Sequence, residues 1–277
     1  MDSLNPVACH LGPAPTSATE LVPFLHRGGI IALKPNEASC CLIREARELI
    51  YRALSVNNET EMRRVRFPYG RLASARSTLS ESPKLRSLVA AVCTSLGLDD
   101  KTLLDVPRLR SVTAGCENDP RAAGAYVLHR DTWYSCPQSM LVVWIPLHDV
   151  SAEEVFAFYP SFFESAIPNT SADHDHAEWM RKVGWQGSST KIENFASARP
   201  SAHLGTALRW SLKAGSILMF SAAQLHQTKP NPSPGNTRYS LDFRLIPTGP
   251  TSAPNVDNAS RGEHTRRAEF SPLHALQ

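Results

Sequence analysis

The chain has 277 residues, 42% of them hydrophobic and 20% charged, with a formal net charge of +3. These values fit a globular protein with a sizeable core, arranged as one large domain or two small ones. No basic run of five or more residues occurs, so composition gives no support to nucleic-acid binding. The longest strongly apolar run, Met140 to Leu147, is far short of the ~20 residues a membrane-spanning helix needs. The N-terminus lacks the basic-then-apolar pattern of a signal peptide, so neither a leader nor a membrane anchor is expected. The six cysteines show no C-x-x-C spacing and are expected to be reduced thiols of a cytoplasmic protein.

Helical signals come first along the chain. Residues 19–28 predict a short helix stopped by Gly28 and Gly29, and 29–33 a short strand. Leu42, Ile43, Ala46, Leu49, Ile50 and Leu54 recur at helical spacing, and Leu85, Leu88, Val89, Val92 and Leu96 repeat the pattern. From about residue 107 the pattern becomes β: 108–113, 125–129, 140–145, 215–220 and 238–246 are short apolar runs bounded by turn residues. The expected fold is mainly β with helical support, a jelly-roll or cupin-like barrel. One domain is expected, with helical support over 19–106, a β core over 107–151 and 206–247, an aromatic-rich insert or lid over 152–205, and a tail over 248–277. The first ~17 residues and the tail are polar and expected outside the core.

His129-Arg130-Asp131 ends one strand-like run, His226 follows another, and Arg238-Tyr239-Ser240 opens a third. Residues two apart in a strand point the same way, so His129 and Asp131 can address one metal while Arg130 points elsewhere. Two imidazoles and a carboxylate on one face leave coordination positions open, the ligand set of non-haem Fe(II) oxygenases. Arg238 and Ser240 share a face and could grip one carboxylate; Asp242 and Arg244 continue that face.

Together, His129-x-Asp131, His226 and Arg238-x-Ser240 resemble the Fe(II)/2-oxoglutarate-dependent dioxygenase superfamily. The stretch from Gly215 to Ser233 and the segment Trp144 to Asp149 resemble its phytanoyl-CoA dioxygenase branch. The resemblance covers about residues 107–247 and extends loosely to the first helix and strand. It implies a double-stranded β-helix, with His129, Asp131 and His226 binding Fe(II) and Arg238, helped by Ser240, holding the C5 carboxylate of 2-oxoglutarate. It also implies consumption of O2 and 2-oxoglutarate to oxidise a C–H bond of a small molecule. Hydroxylation is the simplest outcome; desaturation, epoxidation and cyclisation are others, in specialised-metabolite biosynthesis by analogy. The carboxylate ligand disfavours halogenation. The insert and the tail match no pattern of the family.

Trp133 and Tyr134 either line the substrate pocket or pack the barrel mouth. Arg244 either meets an acidic substrate group or forms a structural ion pair, with Asp242 or a Glu of the insert. The rival cluster Asp173-His174-Asp175-His176 reads as a solvated loop or helix start, and His148-Asp149 as turn chemistry. Two other functions use the same residues: a zinc-dependent hydrolase with the same three ligands, and a jelly-roll binding module without turnover. No heptad or interface stripe indicates an oligomeric state.

Overall fold

The computed structural model describes residues 4–119, 126–182, 184, 195–199, 204–230, 235–248 and 257–276. In chain order the elements are β1 (Pro6–His10), α1 (Ala18–His26), β2 (Ile30–Leu33), α2 (Glu37–Leu54), α3 (Glu59–Arg64), α4 (Ala73–Glu81), α5 (Pro83–Ser95), β3 (Leu103–Leu104) and β4 (Arg108–Thr113). There follow β5 (Leu141–Pro146), β6 (Ala157–Phe158), α6 (His176–Lys182), β7 (Ile217–Ser221), β8 (His226–Gln227), β9 (Thr237–Ile246), α7 (Glu263–Arg267) and β10 (Ser271–Pro272).

The main sheet is antiparallel throughout, ordered β1-β2-β7-β5-β9-β3-β10, with β4 also paired to β9. Its two faces follow from side-chain alternation. Leu141, Val143 and Ile145 of β5, with Tyr239, Leu241, Phe243 and Leu245 of β9, turn toward the helices and join the largest core cluster. Val142, Trp144, Leu218 and Phe220 turn the other way, onto Val155, Phe158 and Leu212. There lies the second, small sheet, β6 paired with β8 and extended by bridges from Phe158 to Leu208 and from His226 to His129.

Helix α2 carries much of the support. Asn36 caps it: the Ser39 N–H donates to the Asn36 side chain, and the Asn36 N–H donates to Ser39 Oγ. Leu42, Ile43, Ala46, Ile50 and Leu54 then bury one stripe against the sheet and α5. The α1 stop falls where expected: the helix ends at His26, and Gly28 adopts φ +91°, a conformation side-chain-bearing residues avoid.

Three expectations are corrected. The N-terminal residues are not outside the fold: β1 adds an edge strand to β2, and Leu4 joins the core. The tail is not peripheral either, since Arg266 is fully buried against Asp105 and Leu273 sits in the main core. Residues 126–129 make an isolated bridge at His129 rather than a strand; Ala125 lies outside the described residues. Within the region expected to be an insert or lid, a 3-10 turn, Ala152–Glu154, precedes β6, which pairs with β8. Its Phe158 is fully buried, whereas Trp185 lies outside the described residues.

Among the described residues, no helix is long and apolar enough to cross a membrane.

Candidate metal centre

His129 and His226 face each other because their backbones pair. Each N–H donates to the other's carbonyl, at 3.0 and 2.9 Å. Asp131 follows in a 3-10 turn, Asp131–Tyr134, instead of continuing a strand. The expected convergence is present, but the turn brings the carboxylate round, not strand alternation. Asp131 Oδ1 lies 3.2 Å from His129 Nε2 and 3.9 Å from His226 Nε2. The three ligand atoms lie within 4.8 Å of one another, and this is the metal-capable group found among the described residues. Two atoms each ~2.1 Å from a common metal sit about 3–4 Å apart, which matches.

The hydrogen-bond pattern fixes what these atoms offer. His129 Nδ1 lies 2.9 Å from the Val127 carbonyl, and His226 Nδ1 lies 3.0 Å from the Gln224 carbonyl. A carbonyl only accepts, so each Nδ1 carries a hydrogen, and each Nε2 faces the centre. Burial and the neighbouring His129 push His226 down to about 4, so its imidazole is neutral at pH 7. Burial opposes ionisation of Asp131, but Arg244, His129 and His226 outweigh it and hold the carboxyl well below the usual range. Two imidazole Nε2 atoms and a carboxylate oxygen thus converge on one point, an arrangement that could hold a cation.

Arg130, between two ligands, points away from the centre as its place in the chain requires. Its guanidinium donates to the carbonyls of Phe162 at 2.6 Å, Phe163 at 3.2 Å, Ser165 at 2.8 Å and Ala223, and to Asp257 at 3.2 Å. Trp133 is fully buried and its indole N–H donates to the same Asp257 at 2.7 Å. Tyr134 sets its ring edge against the His129 ring, with centroids 5.3 Å apart, and its hydroxyl donates to the Ala196 carbonyl.

The expected face of β9 is present: Arg238, Ser240, Asp242 and Arg244 are all buried on the side away from the helices. Arg238 lies over the rings of Trp144, 5.5 Å to centroid, and Phe156, 5.9 Å. One Nη donates to the Glu154 carbonyl at 2.7 Å. Its Nε, Ser240 Oγ and Trp144 Nε1 are buried without a hydrogen-bond partner. Burial pulls the guanidinium down to about 10, a loss that Tyr126, Glu154 and Asp242 only partly offset. A buried cation left this short of anions, beside two further unpaired donors, could accept an anionic group.

Arg244 spends its donors inside the protein. Nε and Nη2 lie 3.3 and 3.1 Å from Asp131 Oδ2, and Nη1 donates to Asp242. Of the two ion-pair partners expected, Asp242 is the one met; the contact with Asp131 is additional. Sequence reasoning also missed Trp144, Glu154 and Asp257, none of which stands at telling spacing from the ligands.

The rival histidines are not solvated. His174 and His176 are buried, and His176 Nε2 lies 2.5 Å from Glu269. His148 is buried as well, its Nδ1 donating to the Asp149 carbonyl and its Nε2 accepting the Tyr239 N–H at 3.1 Å.

No family model matches the chain, and no curated protein matches it in sequence. Solved structures do. The 2-oxoglutarate complex of EvdO2 from Micromonospora carbonacea var. aurantiaca matches with a TM-score of 0.50 at 14% identity, over 89% of this chain and 96% of that one. The non-haem α-ketoglutarate-dependent epimerase SnoN of nogalamycin biosynthesis is similar over 92% of this chain and 98% of its own, at 15% identity and a TM-score of 0.42. Apo ThoJ, a non-haem monooxygenase, covers 89% and 90% at 14% identity and 0.44. In fold, therefore, the chain is similar to EvdO2, and it carries a His129/Asp131/His226 cluster suited to a metal.

Proposed function

We propose that the protein is an Fe(II)- and 2-oxoglutarate-dependent oxygenase that oxidises an unactivated C–H bond of a small molecule, coupled to conversion of 2-oxoglutarate to succinate. The carrying observation is the pairing of two complementary groups on one side of the sheet. One is the metal-capable cluster of His129, Asp131 and His226. The other is a buried group of donors at Arg238, Ser240 and Trp144. A metal held by the first group and a dicarboxylate held by the second would use both. A zinc hydrolase or a binding module would leave the second group unexplained.

Fe(II), bound with 2-oxoglutarate and O2, would supply the oxidising power. The chain supplies position and dryness. His129 and His226 present their Nε2 atoms, and Asp131 brings the balancing charge. Arg238 and Ser240 hold the distal carboxylate, with the Trp144 N–H as a third donor. The rings of Phe156, Phe158 and Phe220 lie 5.3, 6.0 and 5.1 Å from the His226 ring and keep water from that side. Tyr134 and Phe195, whose rings meet at 6.1 Å, are placed to shape the substrate pocket.

In this reading the two sheets form a double-stranded β-helix within one domain spanning the chain, working in the cytoplasm in specialised-metabolite biosynthesis, with hydroxylation as the simplest outcome. The test is thermal unfolding with Mn(II) as a redox-inert stand-in for iron. Saturating 2-oxoglutarate should raise the melting temperature of the metallated wild type and not of Arg238→Met. No shift in metallated wild type, together with O2-independent ester hydrolysis by the zinc form, would replace this function with the hydrolase.

A further inference from the structure

We propose that Arg244 is a positioning residue that confines Asp131 to metal binding through one oxygen. The inference rests on the metal-centre assignment above and adds to it a role for a residue that touches neither metal nor cosubstrate.

The Asp131 carboxylate is divided between two tasks. Oδ1 faces His129 Nε2 at 3.2 Å and His226 Nε2 at 3.9 Å. Oδ2 is taken by Nε and Nη2 of Arg244, at 3.3 and 3.1 Å. The Arg244 fork is itself fixed. Its Nη1 donates to Asp242, and Arg110 holds Asp242 from the far side, Nε to Oδ1 at 2.7 Å. Asp242 and Arg244 share the β9 face of Arg238 and Ser240. One strand therefore orders both the cosubstrate clamp and the carboxylate ligand.

A carboxylate can bind a metal through one oxygen or both. Two-oxygen binding would take a position that a chelating 2-oxoglutarate or O2 needs. For Oδ2 to swing to the metal, it would have to leave two charge-assisted hydrogen bonds in a buried setting. The planar guanidinium makes that hold, since it reaches Oδ2 with two of its nitrogens while its third stays on Asp242. A lysine ammonium would balance the charges but could not reproduce the fork. Denticity therefore separates positioning from mere neutralisation.

The experiment is infrared difference spectroscopy, zinc-loaded minus metal-free, on protein carrying aspartate labelled with carbon-13 in the side-chain carboxyl. The separation of the asymmetric and symmetric carboxylate stretches is wide for one-oxygen binding and narrow for two-oxygen binding. Asp131→Asn identifies the band. The expected result is a wide separation in wild type. It should be narrow in Arg244→Lys and in the charge-balanced double variant Arg244→Gln with Asp242→Asn, and 2-oxoglutarate affinity of the metal-loaded variants should fall about 10–100-fold. A narrow separation in wild type overturns the proposal without any variant having to fold. So does Arg244→Lys with the wild-type separation and cosubstrate affinity. Absence of metal-dependent bands in wild type overturns the proposal along with the metal centre. A wide separation in wild type and a narrow one in the variants, without 2-oxoglutarate binding, upholds the positioning role and counts against the oxygenase function instead.

Discussion

His129 and His226 exchange both backbone hydrogen bonds, at 3.0 and 2.9 Å, and this single antiparallel bridge sets their rings 4.4 Å apart. Ligand spacing is thereby tied to backbone pairing between a loop and β8, and β8 is held in turn by β6 of the aromatic segment. Metal affinity should depend on whatever fixes that loop.

Asp257 is the clearest such group. It accepts from Arg130, Trp133 and the Ile167 N–H, so it joins the tail to the ligand turn and to the segment beyond β6. Asp257→Ala leaves a buried guanidinium without its carboxylate and should cost about 3–5 kcal/mol. Urea unfolding should show the loss, with a parallel drop in metal affinity. Asp257→Asn should recover part of it, because its oxygen can still accept one of these bonds. Wild-type stability in the alanine variant would show that the tail does not brace the centre.

Arg238→Lys tests the clamp chemistry. Lysine keeps the charge and loses the planar fork over Trp144 and Phe156. We predict a loss of about 2–3 kcal/mol in 2-oxoglutarate binding, on the order of a hundredfold in Kd, with metal affinity unchanged. Calorimetric titration of the Mn(II) form measures both. An unaffected Kd would move the dicarboxylate site elsewhere.

Tyr134 commits its hydroxyl to the Ala196 carbonyl at 2.8 Å while its ring meets His129. Tyr134→Phe should therefore lower stability by about 1 kcal/mol and leave metal binding intact. Loss of metal in the phenylalanine variant would instead give the hydroxyl a direct part at the centre.

His148 predicts a pH signature away from the metal. Burial, opposed by its bond to the Asp149 carbonyl, pushes it down to about 4. The unfolded chain then takes up a proton near pH 6.5 that the folded protein refuses until about 4. The stability from neutral His148 is present above pH 6.5 and lost as pH falls toward 4, about 3 kcal/mol in all. Urea midpoints from pH 7 to 4.5 should fall more steeply for wild type than for His148→Gln; equal slopes would contradict this.

The local rules carried the sequence reading a long way. Alternation alone put Arg238, Ser240, Asp242 and Arg244 on one face of β9 and the intervening apolar residues on the other, as observed. Helical spacing located α2 and α5, although α2 begins earlier than its apolar stripe because Asn36 caps it. Pairings between distant segments were not legible. Nothing in the order of residues says that Arg244 would turn to Asp131 and not to a substrate. Nor does the polar tail announce that Asp257 and Arg266 are buried. Such residues look solvated until the groups that neutralise them come into place. The cluster at His174 and His176 is the helix start expected, at the beginning of α6, but it is buried, and the Glu269 that meets His176 lies in the tail.

The most direct test of the central claim is anaerobic titration of metal-free protein with Fe(II) and then 2-oxoglutarate, following the visible metal-to-ligand charge-transfer band, with Arg238→Ala alongside. A weak band that needs both additions in wild type and is much reduced in the variant is the predicted result. Absence of the band from protein shown to hold its iron would contradict the account.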